Sequence, residues 1–375
     1  MHTRILNKLL HSWMNKGKVL LLIGARQVGK TTLLRNMTRN SSDLVWLNAD
    51  EHKVRERLTN PSLNDISNII GTYKLVIIDE IQRIQNCGLL LKLMVDNFSD
   101  VQFIATGSSA LETSDTIFEP LTGRQITFHL YPLSLAELYS KKSPFEIEQE
   151  LPFHLVHGCY PDVCNNRAQA SLLLANLAEN YLYKDVLIWK NIRKPELLDK
   201  LLKLLAYQVG SEVSINELAN QLKVKSETVL NYLDILEKSF VIFRMNAFSS
   251  NPRKEVTKLS KIFFWDNGIR NAVIGEFGDL ANRNDHGLLF ENLMISERMK
   301  MNSWIRPSIK SYFWRDLNKR EVDYVELNSG KICAFEMKWN TLKNHKVSRA
   351  FTNLYADADT EVITPENFAS FALGD

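Results

Sequence analysis

The sequence predicts an α/β fold: a parallel sheet carrying a phosphate-binding loop, then a helical segment, a winged helix–turn–helix and a smaller α/β domain. Three observations carry this. Short, wholly apolar runs alternate with helical segments over about the first third of the chain. Long segments of 3.6-residue period follow, and strand-like runs return towards the end. At 375 residues the chain is too long for one ordinary core, and domains are expected at 1–138, 139–208, 209–282 and 283–375.

Composition narrows the class. Apolar residues make up 45% and charged residues 24%, as in ordinary globular proteins, and a net charge of +3 advertises no polyanion partner for the molecule as a whole. Cys87, Cys159, Cys164 and Cys333 are scattered without a C-x-x-C pair. That speaks against a zinc module or a disulfide framework and fits a reducing cytosol. No stretch approaches the roughly 18 uninterrupted apolar residues of a spanning helix. The first residues are too polar for a signal peptide and read as a short amphipathic helix. A cytoplasmic location without a membrane partner is expected.

Val19–Ile23 is a continuous apolar run of the kind shown by a strand buried on both faces. GARQVGKT follows it and fits G-x-x-x-x-G-K-[ST], between a strand and a helix as phosphate binding requires. Gly24 and Gly29 let the loop curl so that its backbone N–H groups, those of Ala25, Gln27 and Val28 among them, face phosphates. The helix N-terminus at Thr31 and Thr32 adds partial positive charge. Lys30 is placed to reach the β- and γ-phosphates of ATP, and the Thr31 hydroxyl to ligate Mg²⁺.

Further apolar runs at Leu44–Leu47, Leu75–Ile78 and Val101–Ala105 complete the predicted sheet. The second of these ends in Asp79 and Glu80, an acidic pair at the carboxyl end of a parallel strand, where such sheets bind ligands. Asp79 is expected to hold Mg²⁺ and Glu80 to polarise the attacking water. The third ends in TGSSA, where Thr106 or Ser108 would contact the γ-phosphate. Arg124, in LTGR, is a candidate for the charge that stabilises the transferring phosphate.

The ordered set GARQVGKTTLL, LVIIDEIQ, FIATGSSA, LTGR and YPLSLAEL resembles the AAA-type P-loop ATPases of bacteria and archaea. The resemblance extends through HGCYPDV, YLYKDV, the stretch Asn251–Lys254, KIFFWDNGIRNAV and LLFENL, nearly the whole chain. It implies ATP binding, hydrolysis, a helical lid, a winged helix and a nuclease-like C-terminal domain. It also implies Arg124 as an arginine finger, and hence a homo-oligomer if Arg124 acts on a neighbour's nucleotide. No second arginine sensor is evident in the helical segment.

Ser214-Ile-Asn-Glu217 reads as a capping box opening a helix with Ile215, Leu218, Ala219 and Leu222 on its apolar face. Ser226 is expected to cap a second helix carrying Val229, Leu230, Leu233 and Leu236. FVIFRM then reads as a strand and NAFSSNPRK as a wing, in which Arg253 and Lys254 favour nucleic acid. This is the layout of a winged helix, whose second helix can enter a DNA major groove. Its outward positions, Lys225, Glu227, Thr228, Asn231, Asp234 and Lys238, are of mixed charge, so DNA and a protein partner both remain open.

EVDYVELNSGKICAFEMKW reads as two strands joined by a tight turn. Ile332, Ala334, Glu336 and Lys338 share one face by the period of two. Glu336 beside Lys338, facing Asp323, makes a candidate site for Mg²⁺ or Mn²⁺, with Lys338 as the cation that activates water and Glu291 as a further carboxylate. The spacing resembles the PD-(D/E)xK nuclease core, with Val322 where that core has proline. A competent nuclease and a nuclease-like fold kept for binding both fit. Residues 298–349 hold 12 Lys/Arg against 5 Asp/Glu, a plausible footprint for nucleic acid. His154, His157, Cys159 and Cys164 lie close in sequence but read as helix-end packing rather than metal ligands.

Overall fold

The computed structural model describes residues 2–108, 120–140, 142–180, 194–249, 260–341 and 345–374. Ser109 and Ala110 of TGSSA, the YLYKDV stretch and Asn251–Lys254, with Arg253 and Lys254, lie outside the described residues. The chain divides into two compact units, residues 1–131 with 238–240, and residues 132–237 with 241–375.

The first unit is built on strands β1 (Val19–Ile23), β2 (Leu44–Asn48), β3 (Leu75–Asp79), β4 (Gln102–Gly107) and β5 (Gln125–His129). They form one sheet in the order β2-β3-β4-β1-β5, every neighbouring pair parallel. Every residue of β1, β3 and β4 is buried, as strands covered on both faces must be. Because β4 lies between β3 and β1, the carboxyl ends of these three strands share one rim of the sheet. β5 was not among the expected strands. The amphipathic N-terminal helix, Leu6–Trp13, buries Leu6 and Leu10.

The second unit combines the helical, helix–turn–helix and C-terminal segments. Helix Asn267–Ile274 stitches them together: Asn267 Nδ2 donates to the carbonyls of Leu155 and Leu289 at 3.1 and 2.9 Å. Strands β6 (Glu212–Val213), β7 (Ile242–Asn246) and β8 (Ser260–Phe264) form an antiparallel sheet in the order β6-β8-β7. Helices Ile215–Leu222 and Ser226–Lys238 stand between β6 and β7 in sequence. Ser214 Oγ accepts from the Glu217 N–H at 3.3 Å, the serine half of the expected capping box. The second helix departs from expectation twice. Leu230 is 44% exposed while Val229, Leu233 and Leu236 are buried. Ser226 is already helical, and its hydroxyl donates to Asn216 Oδ1 at 2.8 Å.

Strands β9 (Lys310–Arg315), β10 (Glu321–Asn328), β11 (Lys331–Met337) and β12 (Asp359–Ile363) form a sheet in the order β12-β11-β10-β9. β10 and β11 are the expected hairpin. Ser329 and Gly330 both adopt positive φ, 50° and 89°, as a two-residue turn matched to strand twist demands. The β9–β10 register shifts between Val322 and Val325, an irregularity that spans Asp323 and Tyr324. Trp314, Val322, Val325, Ala334 and Phe351 form the core beneath it.

Candidate nucleotide site

The phosphate loop is fixed by two glycines for different reasons. A Cβ at Gly24 would stand 2.1 Å from the Leu130 carbonyl oxygen, so only glycine lets the loop leave β1 at that point. Gly29 adopts φ +95° immediately before helix Lys30–Met37, a conformation open to glycine at little cost. Gln27 is left-handed as well, at φ 59°. Ala25 and Val28 are buried and hold the loop against the sheet.

Lys30 is buried, and its ammonium donates to the Gly24 and Ala25 carbonyls, both at 2.9 Å. Burial pushes this ammonium down to about 8, against the opposing pull of Glu80 and Asp79. The Thr31 hydroxyl donates to Asp79 Oδ2 at 2.9 Å. The Thr106 hydroxyl donates to the other oxygen, Asp79 Oδ1, and accepts from the Glu80 N–H at 3.1 Å. Of the two residues expected to follow β4, it is Thr106 that joins this chain of hydrogen bonds. Ser108 is buried nearby at the end of the strand. Thr31 and Asp79 thus converge as hard oxygen donors of the type Mg²⁺ takes, and they are the residues that would hold it.

Glu80 sits in the left-handed region, φ 57° and ψ 43°, strain of about 1–2 kcal/mol for a residue with a side chain. Its carboxylate accepts from Gln82 Nε2. Arg124 lies elsewhere. Its carbonyl accepts from the Val19 N–H at 2.9 Å, at the amino end of β1, and its guanidinium pairs with Asp96 at 2.6 Å. The whole length of β1, roughly 16 Å, separates it from the phosphate loop of its own chain. Sequence reading missed Gln82, and also Arg4, which donates to the Tyr131 and Val28 carbonyls at 2.6 and 3.5 Å and so braces the loop from behind.

In the second unit the expected carboxylate cluster assembles with an extra member. Lys338 Nζ lies 2.8 Å from Glu336 and 3.4 Å from Asp323, and Asp323 also accepts from the Met337 N–H at 2.8 Å. Lys261, on β8, is 2% exposed and stands 3.3 Å from Glu291 and 3.6 Å from Glu321. Burial pushes the Glu291 carboxyl up to about 8 and that of Glu336 to about 7, with Lys261 and Lys338 respectively pulling the other way. The outer oxygen of Glu336 is buried without a hydrogen-bond partner. Among the described residues no group of three or more His, Cys, Asp or Glu side chains is arranged to hold a metal ion. The carboxylates expected to share a divalent cation stand beside two ammonium groups, Lys338 as expected and Lys261 in addition. His154 Nδ1 donates to the Gly158 carbonyl at 2.9 Å, a packing role.

The basic segment 298–349 is less free than its composition implied. Arg298 pairs with Glu326 and Lys300 with Glu297 in the interior. Arg315, Arg320 and Lys331 pair with Glu212, Asp316 and Asp359, and Lys338 with the carboxylates above.

Residues 16–139 match a family model described as an AAA domain. The first unit carries an AAA-type P-loop domain. Residues 148–280 and 286–370 match two further models, each described as a domain of unknown function. An uncharacterized protein of Methanocaldococcus jannaschii is 28% identical over 323 residues, 75% of this chain and 67% of its own length. One of Mycobacterium tuberculosis is 27% identical over 350 residues, 92% of this chain and 75% of its own. Among solved structures, a Walker-type ATPase of Pyrococcus abyssi is 17% identical with a TM-score of 0.48, covering 72% of this chain and 94% of that one. A domain of this kind implies ATP and Mg²⁺ in general terms. Among the described residues no helix is long and apolar enough to cross a membrane.

Proposed function

We propose that this chain hydrolyses Mg-ATP and uses the cycle to drive a conformational switch acting on DNA through a winged helix and the basic C-terminal segment. The observation that carries the hydrolytic part is the unbroken hydrogen-bonded path Thr31–Asp79–Thr106–Glu80, which sets an acid at the rim beside the phosphate loop. Lys30 would leave its two carbonyl partners for the β- and γ-phosphate oxygens. Thr31 and Asp79 would hold Mg²⁺, which when bound neutralises charge on those oxygens. Glu80 would take a proton from the attacking water. Arg124, far from its own chain's loop, would reach a transferring phosphate only on a second copy, so that role entails a homo-oligomer.

The DNA part rests on the two-helix, three-strand arrangement of residues 212–264 and on the charge of residues 298–349. A second reading is favoured by a specific observation: six cations of that segment are already paired, and the helix Ser226–Lys238 exposes Glu227 and Leu230. In that reading the chain is an ATP-dependent regulatory or assembly protein that binds a protein partner and cleaves no nucleic acid. A gel shift across a salt series separates the two. DNA binding that weakens by at least about 10³-fold between 50 and 200 mM salt is the expected result, as for a protein making six or more phosphate contacts. Absence of a shift at the lowest salt would move the assignment to the protein partner.

A further inference from the structure

Gln82 is absorbed by no step of the reading above, yet it touches the residue on which that reading turns. It lies two residues beyond Glu80 in the short turn Ile81–Arg83. In a regular helix, side chains two apart along the chain do not face each other; here the left-handed Glu80 and the short turn that follows it bring the two together. The left-handed turn therefore carries strain, and the Gln82 amide folded back on the Glu80 carboxylate is what accompanies it. A carboxylate only accepts, so the amide group facing it is the NH₂. The other end of the amide, Gln82 Oε1, is buried and has no hydrogen-bond partner. A buried carbonyl oxygen left unpaired costs free energy unless a ligand or water completes it.

We propose that Gln82 is a positioning residue for the attacking water: its NH₂ holds the Glu80 carboxylate, and its free carbonyl oxygen accepts the water's second proton in a hydrogen bond. The two side chains then hold both hydrogens of one water, which fixes the direction of its lone pair towards the γ-phosphorus. In the chemical step the water oxygen forms the new bond to phosphorus while the bond to the β-bridging oxygen breaks. The leaving electron pair stays on the β-phosphate, and one proton passes to Glu80. Gln82 gains and loses no proton. Holding a reactant in line is worth orders of magnitude in rate without any change in substrate affinity.

This rests on Glu80 acting in hydrolysis, so the test carries a control for that. Turnover and equilibrium Mg-ATP binding are measured for wild type, Gln82→Ala, Gln82→Glu and Glu80→Gln. Gln82→Ala is expected to lower kcat about 10- to 100-fold with ATP affinity within about twofold of wild type. Gln82→Glu sets two carboxylates against each other at pH 8, where both are charged. Acidification restores a proton donor between them, so its turnover relative to wild type should rise at least about threefold from pH 8 to pH 6, which a purely structural role would not produce. Gln82→Ala turning over within twofold of wild type, while Glu80→Gln is inactive, would overturn the proposal and leave the hydrolysis reading standing. A loss of ATP affinity equal to the loss of kcat would overturn it too. Glu80→Gln turning over like wild type would instead sink the reading beneath it.

Discussion

Lys30→Ala is expected to weaken Mg-ATP binding by about two to four orders of magnitude while leaving the fold intact. Lys30 makes two hydrogen bonds to loop carbonyls, and would exchange them for charge-assisted bonds to phosphate oxygens. Two such bonds at about 1.5–3 kcal/mol each correspond to roughly 10²- to 10⁴-fold in affinity. The same residue gives binding a pH dependence. Burial lowers its ammonium to about 8, whereas a bound polyphosphate would favour the charged form. Binding therefore takes up a proton once the pH rises past about 8, and the Kd at pH 9 should be about tenfold weaker than at pH 7. Calorimetry in two buffers of different ionisation enthalpy reads that proton directly. Lys30→Ala should lose both the affinity and the pH dependence. Tight, pH-independent binding by the wild type would contradict the placement of this lysine.

Glu326→Ala carries the largest expected loss of stability. Glu326, on β10, is 4% exposed, and its two oxygens accept from Arg298 Nε and NH2 at 2.8 and 2.9 Å. Asn302 and the Tyr324 hydroxyl complete the carboxylate at 2.6 and 3.1 Å. Arg298 lies on helix His286–Ile305, so the pair pins the C-terminal sheet to that helix. Removing the acid strands a guanidinium that cannot shed its charge, unlike a buried lysine or carboxyl. The cost should reach about 3–5 kcal/mol, and the melting temperature should fall by roughly 6–20 °C. Burial alone would raise the Glu326 carboxyl, but the Arg298 guanidinium overrides it and holds the group below its ordinary value. A depressed carboxyl contributes stability above its unfolded pKa, about 4.3, and loses it as the pH falls through the folded value. Wild type and variant should therefore differ most near neutral pH and converge as the pH falls through the depressed folded value. Equal melting temperatures at pH 7 would mean the pair contributes nothing.

What the sequence made legible follows from where chemistry is local. The phosphate loop lies in eight consecutive residues between an apolar run and a helix, so its place, and that of Asp79 at the end of a second apolar run, could be read directly. Buried parallel strands announce themselves as unbroken apolar runs; β5, QITFH with polar and aromatic residues interleaved, does not, and was missed. Leu230 was assigned to the wrong face because a one-position error in helical phase moves a residue by 100°. Long-range partners left no local signal. Gln82 meets Glu80 through a left-handed turn, and Lys261 joins the carboxylates of other elements from a strand that reads simply as SKIFF. The excess of basic residues in 298–349 was correctly counted, but counting cannot show that Arg298 and Lys300 point inward.

Phosphate release from Mg-ATP by wild type and by Glu80→Gln tests the central claim most directly. The account predicts steady turnover by wild type and a loss of at least about 10²-fold in Glu80→Gln, with ATP binding retained, because only the acceptor of the water's proton is removed. Equal release by the two proteins would contradict it, and would show that the acid at the end of β3 takes no part in the chemistry.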